Sequence, residues 1–156
     1  MIVYHYTSHE SLTQIITSNE LHPSWLNPQM DTAFGEGWYF TDLEPHLTPC
    51  EDLEMSLWMR REPVKSRTYL AFEIHDSVLQ KCRPNVYRLR IDVLSDKAKI
   101  IRLNLTYTLT ANGGQAIRFI NHGHKQVIYK PYKPANPWNT FGVIALIGLG
   151  LLALTK

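Results

Sequence analysis

One stretch constrains the fold more than any other, residues 33–42, which read Ala-Phe-Gly-Glu-Gly-Trp-Tyr-Phe-Thr-Asp. Gly35 and Gly37 permit positive φ angles and the close approach of another backbone, so they predict a tight turn. The aromatic run after them favours a strand, in which Tyr39 points away from its two aromatic neighbours. A tyrosine so placed beside a glycine turn suits stacking on a planar ligand. Taken alone, however, the pattern favours a core strand with a hairpin turn.

Composition narrows the class of protein. A chain of 156 residues that is 44% hydrophobic and 11% aromatic can bury its own core, which argues against disorder. Its net charge of +2 is too balanced to indicate a nucleic-acid partner. Cys50 and Cys82 lack paired spacing, which favours a reducing compartment or plain packing over a disulfide scaffold. The N-terminus lacks the basic region and apolar run of a signal peptide, so export by that route is not indicated.

Hydrophobic periodicity predicts a single α+β domain with several short strands and two or three helices. No internal repeat is visible in the sequence. The predicted strands cover residues 2–7, 38–40, 68–74, 86–91, 100–103, 107–109 and 126–129, with a turn at residues 112–114. The predicted helical segments cover residues 8–19, about 49–61 and 77–81.

The first predicted helix has clear start and stop signals. Ser8 can cap its N-terminus, and Asn19 ends it. Between them, Leu12, Ile15 and Ile16 follow the three-to-four spacing of one apolar face. We expect that face to pack against the sheet.

The C-terminal part differs from the rest of the chain. Residues 141–154 carry no charge, and as a helix they would span about 21 Å, short of the roughly 30 Å hydrocarbon core of a bilayer. Counting from Trp138 to Thr155 gives about eighteen residues, near the lower limit for a span. Lys130 and Lys133 favour the cytoplasmic side, so we expect a cytoplasmic protein or one on the cytoplasmic face of a membrane. We therefore divide the chain into a domain at residues 1–130, a Pro-rich linker at 131–140 and a hydrophobic segment at 141–156. This segment is either a membrane anchor, a helix that lies on the membrane, or a core or oligomer helix.

Few motifs of known chemistry occur. The sequence has no zinc-type Cys/His spacing, no phosphate-binding loop and no nucleophile elbow. His122 and His124 lie two residues apart in a predicted loop without an evident third ligand, so a metal site is not favoured. His5 falls in the middle of the first predicted strand, with Thr7 on the same face. It could donate a hydrogen bond to a ligand there, although a lone strand histidine is more often a satisfied core residue.

Two stretches in this order resemble the NAD-binding half of ADP-ribosyltransferases: Tyr-His-Tyr-Thr-Ser at residues 4–8 and, after a helix, Phe-Gly-Glu-Gly-Trp-Tyr-Phe-Thr-Asp at residues 34–42. They look like the His–Tyr branch, which includes the poly(ADP-ribose) polymerase catalytic domain and bacterial toxin-type His–Tyr–Asp transferases. The former runs His-Gly-Ser, a helix, then Gly-x-Gly-x-Tyr-Phe-x-Asp, and the small size here is closer to the bacterial group. The resemblance covers residues 2–45 well and 68–91 loosely. It implies a small split β-sheet core with flanking helices, and NAD as the substrate.

The resemblance also implies roles for individual residues. His5 would hydrogen-bond the ribose on the nicotinamide side of NAD, with Thr7 assisting. Tyr39 would stack on the nicotinamide ring, and Gly37 would let NAD lie close. Tyr6 would contribute a backbone or a ring contact. Departure of nicotinamide creates positive charge on the sugar. An acidic residue then stabilises that charge or binds a ribose hydroxyl.

The acidic residue is the part of the pattern that the sequence matches least. Glu73 is the first choice, by comparison with the toxin-type branch, and it shares a strand face with apolar residues that can form a pocket wall. Asp92 is the second choice. If the acidic position of the family pattern lies on the last predicted strand instead, it falls near Lys125 or Gln126. The enzyme would then lack a glutamate there, which would favour mono-ADP-ribosylation or loss of activity. Glu73 and Asp92 could equally be solvated strand residues.

The principal hypothesis is therefore an enzyme that transfers ADP-ribose from NAD to a macromolecular acceptor, a protein or a nucleic acid, or that hydrolyses NAD. His5, Tyr39 and Glu73 would be its catalytic residues. One alternative is a catalytically inactive module that binds NAD or ADP-ribose. Another is a membrane-tethered interaction protein whose folded part is a scaffold. Release of nicotinamide from NAD distinguishes the first from the other two.

Overall fold

The computed structural model describes residues 1–24, 34–90, 100–108 and 115–125. It contains two α-helices, α1 (His9–Ser18) and α2 (Cys50–Trp58), and a short 3-10 helix at Asp76–Val78. The strands are β1 (Ile2–Thr7), β2 (Glu20–Leu21), β3 (Trp38–Phe40), β4 (Thr68–Ile74), β5 (Leu79–Arg83), β6 (Val86–Leu89), β7 (Ile101–Arg102), β8 (Tyr107–Thr108) and β9 (Gln115–His124). This confirms the predicted α+β class.

The strands form antiparallel sheets that meet at one bridge. A four-stranded sheet has the order β1-β4-β9-β8, a three-stranded sheet has the order β3-β6-β5, and β2 pairs with β7. Tyr4 and Thr41 pair their backbones and so join β1 to the end of β3. Among the described residues, that bridge is the only backbone pairing between the two larger sheets. The arrangement is consistent with the split β-sheet that the resemblance implied.

Helix α1 follows its sequence signals closely. The Ser8 hydroxyl accepts a hydrogen bond from the Ser11 N–H at 3.1 Å, which confirms the predicted cap. Asn19 ends the helix in the left-handed conformation with φ of 60°. Leu12 is buried and Ile15 packs on the core, but Ile16 lies at the exposed edge of the predicted apolar face.

Helix α2 is shorter than predicted. It ends at Trp58 because Met59 adopts the left-handed conformation with φ of 56°, so it stops well before Pro63. Glu54, which is fully buried, accepts a hydrogen bond from the Glu62 N–H at 3.2 Å and one from the Ser66 hydroxyl at 2.8 Å. These bonds fold the chain back beside the helix and prevent its continuation.

Two buried clusters lie on opposite faces of the four-stranded sheet. On the face of Val3 and Leu70, the larger cluster includes Leu12, Leu21, Trp38, Phe40, Phe72, Ile74, Leu89, Ile101 and Ile117. The other face carries a smaller cluster of Tyr6, Leu53, Tyr69 and Ala71, over which α2 packs. Cys50 and Cys82 are free thiols, as their spacing predicted.

Strand β9 was not predicted, and His122 and His124 lie in it rather than in a loop. The reason is a β-bulge: Ala71 pairs with Asn121, but the next residue of β4 pairs with Phe119, so Ile120 is inserted between them. The insertion breaks the alternation that identifies a strand in a sequence. A second strand, β5, replaces most of the helical turn predicted at residues 77–81, since the helical turn lies earlier, at Asp76–Val78.

Several predictions lie outside the described residues. They are the turn at residues 112–114, the strand at 126–129, the role of Asp92, the linker at 131–140 and the hydrophobic segment at 141–156. No helix within the described part of the chain is long and apolar enough to cross a membrane.

Candidate active site at the divergence of two strands

The candidate site lies where β1 and β3 separate. Tyr4 and Thr41 exchange two backbone hydrogen bonds, at 2.8 and 2.9 Å. Continued pairing would place Tyr6 opposite Tyr39, but that pair does not form, whereas β1 stays paired with β4 as far as Thr7. The separation of the strands therefore leaves one edge of β1 open beside Tyr39.

His5 fills part of this gap. Its Nδ1 lies 2.9 Å from the backbone oxygen of Tyr39. Because a carbonyl oxygen can only accept, Nδ1 carries the proton and Nε2 is left as an acceptor. Burial of the ring lowers the pKa of His5, although the hydrogen bond to Tyr39 opposes the shift. The imidazole is thus neutral at pH 7 and presents a fixed lone pair.

Tyr6 presents its backbone to the gap and its ring to the opposite side. Backbone groups of alternate residues in an antiparallel strand point the same way, so the N–H and C=O of Tyr6 point as those of Tyr4 do, toward β3. No described residue pairs with them there. The ring is buried in the smaller cluster, and its hydroxyl donates to the Leu43 carbonyl at 3.1 Å. Only the backbone of Tyr6 is available at the gap.

Tyr39 stands against its own glycine turn. As predicted, its ring lies on the face of β3 opposite the buried Trp38 and Phe40. Its hydroxyl donates to the Gly35 carbonyl at 2.5 Å. Burial raises the pKa of the phenol, an effect that Arg88 partly opposes, so the hydroxyl is a proton donor at neutral pH. The half-buried ring is held in one orientation.

The two glycines make room for β6 and its side chains. Gly35 has φ of +96° and Gly37 has φ of +152°, both unfavourable for other residues. A Cβ on Gly37 would lie 2.4 Å from the Leu89 carbonyl oxygen, and one on Gly35 would meet the Arg88 guanidinium. Sequence reasoning missed Arg88, which donates to the Phe34 carbonyl and, at 2.7 Å, to the amide oxygen of Gln80. Only the strand register, which pairs Arg88 with Tyr39, could have identified Arg88, and no local sequence pattern encodes that register.

Comparison with known families shows to which class of protein the chain belongs. A family model, Tox-ART-HYD1, matches residues 3–100 and is described as "HYD1 signature containing ADP-ribosyltransferase". The chain belongs to this ADP-ribosyltransferase family. The match covers more than half of the chain and includes His5, Tyr39 and Glu73. Comparisons with curated proteins and with solved structures gave no match.

The family assignment confirms the predicted class, a toxin-type ADP-ribosyltransferase family that acts on NAD. His5 and Tyr39, far apart in sequence, are brought together in the structure of this family member by the Nδ1–carbonyl hydrogen bond. Thr7 lies two residues after His5 on the same face, where its backbone oxygen accepts a hydrogen bond from the Thr68 hydroxyl. The gap between β1 and β3 therefore holds four of the five residues that the resemblance assigned to NAD, with Gly37 in the adjoining turn.

Glu73 is not brought to this gap. It pairs with Ile2 across β1 and β4. Paired residues point to the same face, and Ile2 and His5 are an odd number of positions apart, so Glu73 and His5 point to opposite faces. The Glu73 carboxylate forms an ion pair with Arg118 at 2.6 Å, and both side chains are about half exposed.

Lys125 occupies the alternative acidic position. It is 5% exposed, and its ammonium donates to the Thr48 carbonyl. Burial lowers the pKa of this lysine. Of the two positions considered at the last predicted strand, the described one thus holds a buried amine rather than a carboxylate.

The histidines of β9 do not form a metal centre in the described structure. The His124 ring lies 5.3 Å from the ring of His9, at the start of α1. No group of three or more metal-ligating side chains occurs among the residues that the structure describes.

Proposed function

We propose that the protein is an NAD-dependent ADP-ribosyltransferase of the His–Tyr type, which transfers ADP-ribose from NAD to a macromolecular acceptor and releases nicotinamide. One observation carries the proposal: His5 bonds to the Tyr39 carbonyl at the point where β1 and β3 separate. The family match supplies the reaction class. Hydrolysis of NAD is the same reaction with water as the acceptor.

In this proposal His5 binds the ribose next to nicotinamide. Its Nδ1–H is committed to the Tyr39 carbonyl, so Nε2 is the atom that faces a ligand. Nε2 accepts a hydrogen bond from a ribose hydroxyl, which orients the sugar. Thr7, on the same face of β1, can add a second hydroxyl contact.

The carboxamide of nicotinamide is complementary to the open edge of β1. The N–H of Tyr6 can donate to the carboxamide oxygen, and its carbonyl can accept from the carboxamide NH₂. Tyr39 lies beside the same edge, and stacking of its ring on nicotinamide would complete the pocket. The turn at Gly37 lies against β6, where a Cβ would be 2.4 Å from the Leu89 carbonyl oxygen, so it adds no side chain at the edge of this pocket.

The chemical step breaks the bond between the ribose C1′ and the nicotinamide nitrogen. The bonding electrons leave with nicotinamide, and positive charge develops on the sugar before an acceptor nucleophile adds to C1′. A nearby carboxylate would stabilise that charge. Since Glu73 points to the other face, we assign it no direct contact with the ribose and give His5 and Tyr39 the binding roles.

A second candidate function has one observation in its favour. Without Glu73 at the gap, the protein could bind NAD or ADP-ribose without turnover. Calorimetric binding of NAD with no release of nicotinamide would support this candidate over the enzyme.

The test is release of labelled nicotinamide from NAD by the purified protein, with cell extract as the source of acceptor. We expect His5→Ala and Tyr39→Ala to lower the rate at least a hundredfold, and Tyr39→Phe, which keeps the ring, to retain most of it. Glu73→Gln is the matched control and should leave the rate within a few fold of wild type. The proposal is wrong if the wild-type protein neither binds NAD nor consumes it.

We further propose that residues 141–154 hold the domain at the cytoplasmic face of a membrane, on the basis of their uncharged composition.

A further inference from the structure

A row of three paired side chains crosses the three-stranded sheet and ends beside the glycine turn. Tyr39 on β3 pairs with Arg88 on β6, and Arg88 pairs with Gln80 on β5. Residues paired across strands share a face of the sheet, so these three side chains lie on the face opposite the buried Trp38 and Leu89. We call them the Tyr39 row. The row therefore includes the residue on which we propose that nicotinamide stacks.

The Tyr39 row holds the glycine turn by two consecutive backbone carbonyls. The Arg88 guanidinium donates to the carbonyl of Phe34 through Nη1, and the Tyr39 hydroxyl donates to the carbonyl of Gly35 at 2.5 Å. One pair of neighbouring side chains therefore fixes two successive peptide groups. A shift of the turn either breaks the tyrosine hydrogen bond or moves the Tyr39 ring with it.

Arg88 is in turn held from the side of β5. Its Nη2 donates to the amide oxygen of Gln80 at 2.7 Å, while Nη1 holds the turn. Its stem lies against Gly37, where a Cβ would be 3.0 Å from the Cγ and 3.3 Å from the Cδ of Arg88. Because a guanidinium is planar and rigid, contacts at two of its nitrogens set its orientation. A lysine, with one ammonium on a flexible stem, could not bridge the two acceptors with the same fixed geometry.

This arrangement has a cost in stability. The Nε of Arg88 is buried and has no hydrogen-bond partner among the residues that the structure describes. The Phe34 carbonyl and the Gln80 amide, which accept from Arg88, are neutral groups and do not compensate its charge. A buried donor left without an acceptor costs free energy, and more so when it belongs to a charged group. What Arg88 orients therefore explains its place in the sheet better than the stability that it adds.

We propose that Arg88 is a positioning residue: it fixes the glycine turn, and through the turn the orientation of the Tyr39 ring, while Gln80 orients Arg88. Arg88 itself contacts no part of NAD in this role. The fixed orientation of Tyr39 stands on the hydrogen bonds of the Tyr39 row, whereas its use in holding nicotinamide rests on the proposed function. A ring that is already ordered needs no rearrangement on binding, so more of the stacking free energy appears as affinity for NAD.

A double-mutant cycle tests whether Arg88 acts through Tyr39. We expect Arg88→Met, which keeps an apolar stem, to lower kcat/KM for nicotinamide release at least tenfold, mainly by raising the KM for NAD. In a Tyr39→Ala background the same substitution should lower kcat/KM less than twofold, because the ring that Arg88 positions is already gone. Equal losses in the two backgrounds would show that Arg88 acts independently of Tyr39 and would overturn the proposal.

Two further variants separate the geometry of Arg88 from its charge and from folding. Arg88→Lys keeps the charge but not the fork, so we expect it to lose at least fivefold in kcat/KM, and a wild-type value would contradict the proposal. Gln80 is exposed, so Gln80→Leu should fold normally and should lower kcat/KM about threefold by releasing Arg88. The matched control is Lys81→Leu, at the next residue of β5, which pairs with Tyr87 and should leave kcat/KM unchanged. Equal values for Gln80→Leu and Lys81→Leu would contradict the role of Gln80.

The position of Tyr39 is also read without NAD, by NMR of the full chain with ¹³C-labelled tyrosine. The Tyr39 signal is identified by its loss in Tyr39→Phe. We expect Arg88→Met and Gln80→Leu to shift this signal, and Arg88→Met to raise the pKa of Tyr39 further, since the guanidinium opposes the rise that burial causes. Lys81→Leu should change neither. An unmoved Tyr39 signal in Arg88→Met would refute the positioning, whereas shifted signals without nicotinamide release by the wild type would refute only the proposed function.

Discussion

Gly37 sets the geometry of the candidate site at the scale of one residue. Its φ is +152°, and a Cβ at this position would lie 2.4 Å from the Leu89 carbonyl oxygen, so there is no room for a side chain. The sequence identified Gly37 as a turn residue, but the neighbour that requires glycine is β6, more than fifty positions later. Glycine is therefore required here because β6 approaches this position closely, and not only because the chain turns.

We expect Gly37→Ala to lower the free energy of unfolding by about 2 kcal/mol, because alanine must adopt a strained φ or displace β6. Urea unfolding followed by circular dichroism measures the change. Leu47→Ala, at a side chain in the following loop that is 74% exposed, should change stability by less than about 0.5 kcal/mol. A Gly37→Ala protein as stable as wild type would show that the turn relaxes without cost.

His5 links stability to pH. Burial lowers its pKa below the ordinary value of 6.5, so below about pH 6.5 the unfolded chain takes up a proton that the folded protein does not. The stabilisation by neutral His5 is thus complete above pH 6.5 and is lost as the pH falls toward the folded-state pKa. Each unit of lowering corresponds to about 1.4 kcal/mol.

Unfolding by urea at pH 7.5 and at pH 5 checks this dependence. We expect the wild type to lose more stability between the two than His5→Asn, whose amide can still donate to the Tyr39 carbonyl. Nicotinamide release should fall over the same acidic range, since a protonated Nε2 cannot accept from a ribose hydroxyl. If wild type and His5→Asn lost the same free energy of unfolding between pH 7.5 and pH 5, the assignment of this pH dependence to His5 would be wrong.

At the scale of elements, α2 is tied through a buried carboxylate to the loop that leads into β4. Glu54 accepts from the Ser66 hydroxyl and the Glu62 N–H and forms an ion pair with Arg61 at 3.0 Å. These contacts explain why the helix stops at Trp58. The apolar periodicity of residues 49–61 predicted the helix, but it does not contain the later donors that end it.

Replacement of Glu54 by leucine should lower the free energy of unfolding by about 3 kcal/mol, because it leaves buried donors without an acceptor. Glu54→Gln, which retains one acceptor oxygen, should cost less. The control is Glu51→Gln, since Glu51 forms an exposed pair with Arg61 at 3.1 Å and should contribute under about 1 kcal/mol. Chemical denaturation of the three variants gives the order, and equal losses for Glu54→Leu and Glu51→Gln would refute the role of burial.

At the scale of the whole molecule, two sheets share one bridge and the candidate site lies beside it. The gap between β1 and β3, where we propose that NAD binds, opens directly after this bridge. A hydrophobic segment follows the domain in sequence, and its fourteen uncharged residues give it a strong preference for an apolar environment.

Deletion after Asn136 tests the proposed membrane attachment. We expect the full chain to sediment with lipid vesicles and the truncated chain to stay in the supernatant, because only the former retains residues 141–154. Both should release nicotinamide at similar rates. Equal partitioning of the two proteins would reject the anchor.

The features that the amino-acid sequence alone determined are those that depend on residues a few positions apart. The cap at Ser8, the end of α1 at Asn19 and the opposite orientation of Tyr39 to its neighbours follow from local hydrogen bonding and strand alternation. The order of His5 and Tyr39 along the chain was also enough to suggest the family. These inferences needed no knowledge of how distant segments pair.

Tertiary structure decided the rest, because strand register between distant segments is not encoded in local periodicity. Only the pairing of β1 with β4 shows that Glu73 points away from His5. Only the bulge in β9 explains why apolar and polar residues do not alternate along this strand in the sequence. The bond from His5 to the Tyr39 carbonyl arises because β1 and β3 separate after a single bridge. Sequence thus nominated His5 and Tyr39, and the packing of the sheets determined which atoms of each remain open to the proposed ligand.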